Sequence, residues 1–190
     1  MEIVSILSST AMAERLASNG RPQRPAPPYS ITFPASLIER GARHLAKNGR
    51  QRLEQLVLWG GYRTPGGVVI ASILLPATEA TWGWVHVIPS EQPKIAEWLR
   101  DHGQLLFVEA HTHGGGPWAT ELSDEDRRHP AGRQDGFLTI IVPDYARTGI
   151  VLSSAGVWEC RGLVWTKLSL QEVRARLRVV ADEEARSELD

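Results

Sequence analysis

Residues 111–126, HTHGGGPWATELSDED, gather two histidines, four carboxylates and a serine around a run of glycines. His111 and His113 close an apolar stretch, QLLFVEAHTH, that reads as a strand. Side chains at i and i+2 leave a strand on the same face, so both imidazoles can approach one ion. Neutral imidazole is a good ligand for Zn²⁺. The segment GGGPWATEL returns the chain toward the strand end, and a short helix starting at Ser123 then presents Asp126 in its first turn. A His-His-Asp set leaves the fourth position open, which is the arrangement of a catalytic zinc site. Asp124 and Glu125 are rival third ligands on spacing alone. Ser123-x-x-Asp126 is also a helix capping pattern. Ser123 can cap and still point its hydroxyl at the site, whereas at Asp126 the backbone and the metal are expected to compete.

A hydrolytic metal site needs a base as well. Glu109 lies two residues before His111 and shares its face. Glu54 heads the apolar run LEQLVLWGG and, taken by itself, is a charged residue at the start of a strand. Trp118, set among glycines, either lines a groove or folds back onto the domain. His86 reads as a packed histidine on a strand with Trp82 and Trp84 on the same side.

Around these residues the elements alternate. PASLIERGARHLAKNG, 34–49, has helical spacing; LEQLVLWGGYR and VVIASILLP form a hairpin with a longer loop; TWGWVHVIP is a third strand. Residues 91–102 form a helix stopped by Gly103. FLTIIVPDYA, TGIVLSS and GVWECRGLVW are further strands, and LSLQEVRARLRVV closes the chain as an amphipathic helix before a frayed acidic tail. Hairpins mixed with helical crossovers predict an α/β fold, a mixed sheet with helices on its faces. The organisation expected is an N-terminal segment and proline-rich linker (1–28, with GRPQRPAPP at 20–28), one domain (29–168), and a C-terminal amphipathic helix with acidic tail (169–190).

A formal net charge of −1 over 190 residues gives no electrostatic case for nucleic acid or a membrane surface. The single cysteine, Cys160, excludes an intramolecular disulfide and a thiolate cluster within the chain, and it fits a reducing compartment. MEIVSIL lacks the basic region of a signal peptide, and no stretch approaches the ~20 apolar residues of a membrane span. A cytoplasmic location is expected.

Glu54, His111-Thr112-His113 and Ser123-Asp124-Glu125-Asp126 together resemble the motif of the JAMM (JAB/MPN/Mov34) metalloprotease family, over roughly residues 30–165. The resemblance implies a JAB/MPN domain, a cytidine-deaminase-like curved mixed β-sheet flanked by helices. It also implies one zinc ion per chain on His111, His113 and Asp126, Glu54 as general base, and Ser123 as a donor to the oxyanion. The activity implied is hydrolysis of the amide bond after the C-terminal glycine of a ubiquitin-like protein. The compact HTH form is similar to bacterial JAB-domain proteins, some of which accompany activating and conjugating enzymes in anti-phage systems. Maturation of a sulfur-carrier protein uses the same chemistry, and a catalytically silent MPN scaffold is the non-enzymatic alternative. The chain departs from the family in the loop of nine residues between His113 and Ser123, which is longer than usual, and in Gly114, where a proline is common.

Overall fold

The structure, a computed structural model, describes residues 1–6 and 29–189; the linker expected at 20–28 lies outside the described residues. At its centre, β3 (Leu56–Thr64) and β4 (Gly67–Leu75) form an antiparallel hairpin. Thr64 pairs with Gly67, so the connection is the tight turn Pro65-Gly66 and not a longer loop. Proline presets the turn and glycine supplies its freedom.

β7 (Leu105–Thr112) pairs antiparallel with β3, and β8 (Leu138–Val142) runs parallel beside β7. β9 (Gly156–Arg161) and β10 (Val164–Lys167) extend that side as a hairpin. On the other side β2 (Ile31–Pro34) and β1 (Glu2–Ser5) share the free edge of β4. β11 (Leu177–Val180) is added parallel to β2. The result is a mixed α/β fold: a curved nine-stranded mixed sheet with helices packed on it.

The expected closing helix is therefore divided. α4 (Leu170–Arg176) stops at Leu177, a strand follows, and α5 (Asp182–Ser187) comes after it. Pairing with β2 outweighs the local helical pattern of LRVV. The acidic tail is docked, not frayed: Asp182 caps Ser36 N–H, Glu188 accepts from Thr32, and Ala185 is fully buried. TGIVLSS is not a strand either. Gly149 takes φ +79°, and Ile150 and Leu152 pack on the core from an irregular segment.

Strand alternation assigns the two faces of the sheet. Val57, Trp59, Val108 and Ala110 point to one side, where α1 (Ala35–Gly49) covers them with Leu37 and Leu45 to make the main core. Burying each large side chain there stabilises the fold by ~1.5–3 kcal/mol. Leu56 and Leu58 point to the other side. They meet Val85 of the separate hairpin β5 (Thr78–Ala80)–β6 (Val85–Val87), together with Ile95 and Leu99 of α2 (Gln92–Asp101). Directly opposed residues of an antiparallel pair share a face. The register Leu56↔His111 and Leu58↔Glu109 therefore places His111 and Glu109 on this second face.

Candidate metal centre

His111 is the next-to-last residue of β7 and is 3% exposed. Thr112, turned the other way, fixes the chain that carries Glu54: its Oγ1 accepts Gln55 N–H at 2.9 Å and its own N–H donates to Gln55 O at 3.0 Å. His113 lies just past the strand, and its N–H donates to Val142 O at 3.0 Å. Gly115 and Gly116, at φ +94° and +92°, then turn the loop back. Leu122 anchors its far end against Ile141 and Trp158. This brings Ser123 to the start of α3 (Asp124–Arg128).

Ser123 and Asp126 form a complete capping box: Asp126 N–H donates to Ser123 Oγ at 3.1 Å, and Ser123 N–H donates to Asp126 Oδ2 at 2.7 Å. The same carboxylate faces both imidazoles. Oδ1 lies 3.1 Å from His111 Nε2, Oδ2 lies 3.2 Å from His113 Nε2, and the two Nε2 atoms are 3.2 Å apart. The expected competition at Asp126 does not arise, because a carboxylate has about four acceptor positions and the backbone uses one. Three donor atoms at these separations suit one ion: a tetrahedral zinc site with bonds of ~2.0–2.1 Å has ligand–ligand edges of roughly 3.3 Å. Among the described residues, His111, His113 and Asp126 are the group that could hold a metal ion. The rival ligands lie elsewhere. Asp124 is exposed, and Glu125 turns to His86 and His129 at 3.3 and 3.4 Å.

The electrostatics of the cluster follow from shared protons. Burial alone would raise the Asp126 carboxyl, but hydrogen bonds from His111 and His113 hold it far below the carboxylate range. Burial opposes charging of His111, yet the Asp126 bond and charge leave its pKa raised.

Glu54 is 2% exposed and pairs its own N–H with Thr81 O at 2.9 Å. Its Oε2 is buried without a hydrogen-bond partner, and the backbone of Gly114 favours the ionised form of the carboxyl. Burial, opposed by the His111 charge and assisted by the Asp126 charge, pushes its pKa up to about 8. Glu109 is different: Thr139 Oγ1 and Ala131 N–H donate to it at 2.9 and 2.8 Å, and it looks toward the other nitrogen of His111. Trp118 is 81% exposed and does not fold back. His86 is half-buried, stacked on Trp84 and paired with Glu125, while Trp82 stands exposed at the hairpin tip. Sequence reasoning missed Tyr145, which contacts both His113 and Gly114. Nothing in PDYA signals it, since its backbone conformation is uncommon for tyrosine.

No protein-family model matches the sequence. The solution structure of protein DSY2949 from Desulfitobacterium hafniense is similar, with a TM-score of 0.56 at 16% identity, over 82% of this chain and 97% of that one. At that identity the likeness speaks for the α/β fold and leaves the chemistry to the site. No helix among the described residues is long and apolar enough to cross a membrane.

Proposed function

We propose that this chain is a JAMM-type zinc metalloprotease of the JAB/MPN fold, which hydrolyses the amide bond after the C-terminal glycine of a ubiquitin-like protein in a bacterial conjugation system. One observation carries the reading: two imidazoles and a carboxylate converge on a common point, with a second, buried carboxyl beside them whose Oε2 has no hydrogen-bond partner among the described residues. A structural ion pair needs neither the second histidine nor that buried acid.

Zinc bound there supplies Lewis acidity to a water nucleophile and to the scissile carbonyl. His111, His113 and Asp126 would hold it through three donor atoms. Glu54 accepts the proton of the attacking water and passes it to the leaving amine, a task suited to an acid whose pKa lies near neutrality. Ser123 Oγ uses a lone pair for the helix cap, so its O–H is free to donate to the oxyanion; such a donor is typically worth about 3–4 kcal/mol.

A cavity of about 510 Å³ is lined by Leu56, Leu58, Ile95, Leu99, His86 and His129, and not by the three candidate ligands themselves; Leu56 is the register partner of His111, which relates it to the centre. It accommodates an extended, partly apolar tail, and the adjacent β5–β6 hairpin offers backbone groups for strand addition.

The test is incubation of the zinc-loaded protein with ubiquitin-like substrates extended beyond a C-terminal glycine. Mass spectrometry is expected to find cleavage directly after that glycine. A protein that takes up no zinc, or cleaves equally well in its absence, overturns the proposal.

A further inference from the structure

Asp144, Tyr145 and Ala146 hold φ of +50°, +52° and +56°, a left-handed turn built from three residues that all carry a Cβ. That conformation is unfavourable outside glycine and rare as a run. It persists where surrounding contacts over-determine it, and here those contacts lead to the metal centre.

Tyr145 N–H donates to His113 O at 3.0 Å, while His113 N–H donates to Val142 O at 3.0 Å. The β7–β8 ladder ends at Thr112↔Val142, so this pair of bonds grips His113 one residue beyond it. The Tyr145 ring, 9% exposed, fills the space beside Gly114: a Cβ on Gly114 would lie 2.3 Å from Oη and 2.6 Å from Cζ. Gly114 does not have a positive φ, so the ring and not the backbone forbids a side chain there. Gly114 directly follows His113, so the ring that packs against it also bounds the chain leaving the ligand. Tyr145 Oη also donates to Trp82 O at 3.4 Å, next to the Thr81 carbonyl that receives Glu54 N–H. On the far side Gly49 makes room, since a Cβ there would lie 2.6 Å from Tyr145 O.

We infer that Tyr145 is a positioning residue of this centre: its main chain holds His113 as a ligand, and its ring packs the Gly114 backbone that immediately follows that ligand. The inference rests on reading His111, His113 and Asp126 as a metal site.

Zinc affinity, measured by competition with a chromogenic chelator on variants shown to be folded by circular dichroism, tests it. Gly114→Ala is expected to weaken zinc binding by ~10–100-fold, the range for loss of an outer-shell partner. Tyr145→Asn, which keeps a side chain tolerant of the left-handed region but removes the ring, is expected to do the same. The double variant should bind no more weakly than Tyr145→Asn, because the added methyl then meets no ring. Tyr145→Phe keeps ring and main chain and should bind as the wild type does. Wild-type affinity in Gly114→Ala or in Tyr145→Asn, or additive losses in the double variant, overturns the inference. Should Tyr145→Asn fail to fold, Gly114→Ala still decides. A wild-type protein that binds no zinc overturns the metal reading and this inference with it, a result distinct from variants that bind normally.

Discussion

The carboxylate of Glu109 lies 3.9 Å from Nδ1 of His111, across the imidazole from Asp126, which faces Nε2 at 3.1 Å. The longer separation is beyond hydrogen-bond reach, and Glu109 is already bonded to Thr139 and Ala131. It therefore stands behind the ligand and outside the ligand set. A metal on Nε2 would leave the ring hydrogen on Nδ1, on the side of this acid, and closing the 3.9 Å gap to a hydrogen bond would fix the tautomer and orientation of His111. Glu109→Gln should retain the fold by circular dichroism and lose ~10–100-fold in zinc affinity. Unchanged affinity would reduce Glu109 to a tie between β7 and β8.

Ser123 and Asp126 share one capping box but separate under mutation. Ser123→Ala removes the acceptor for Asp126 N–H and should cost about 1 kcal/mol in chemical denaturation, with zinc stoichiometry intact and turnover strongly reduced. Asp126→Asn keeps an oxygen for Ser123 N–H, so the cap persists; it should abolish zinc binding, and the metal-free protein should lose the stabilisation that the carboxylate gains from His111 and His113. If both variants lose zinc equally, capping and metal binding are one function and the two residues do not have separate roles.

Cys160 is fully buried, with Sγ directed at Arg133 O, and burial raises its pKa above the ordinary thiol range. Alkylating reagents should leave cleavage unchanged, while a zinc chelator should abolish it and added zinc should restore it. Inactivation by alkylation of native protein would point to a thiol mechanism in place of a metal one.

The parts of the site legible in sequence are those set by local spacing. His111 and His113 share a face because strands alternate, and Ser123 and Asp126 meet because a helical turn brings them together. The long helix 34–49 and the strand 105–112 carry strong periodicity and lie close to where it predicts them. What was hidden depends on distant partners. Leu177–Val180 has a helical pattern yet pairs with Ile31–Pro34, from the other end of the chain. Spacing alone leaves Glu54 and Glu109 unranked, and only the family resemblance favours Glu54; the register Leu58↔Glu109 puts Glu109 on the histidine face, where its bonds to Thr139 and Ala131 hold it behind His111. Tyr145 enters through a backbone conformation that its residue type disfavours, so propensity argues against finding it.

Glu54 should make the metal-free protein sensitive to pH in a specific direction. Its pKa is about 8 in the folded state, raised by burial from an ordinary 4.5, so the folded protein keeps a proton that the unfolded chain gives up. Below pH 4.5 both states are protonated and the group costs nothing. As pH rises from there to about 8 the unfolded state ionises first, and stability is lost progressively until the folded carboxyl ionises too. A tenfold change in a proton-binding constant is worth about 1.4 kcal/mol, so the full loss is on the order of a few kcal/mol. Glu54→Gln removes the titration while keeping the size and shape of the side chain. Its metal-free form should match the wild type near pH 4.5 and exceed it in thermal midpoint at pH 8, with zinc binding retained and cleavage lost. A variant and wild type whose midpoints run parallel across that range would mean that Glu54 is ordinarily ionised in the fold and that burial does not hold its proton.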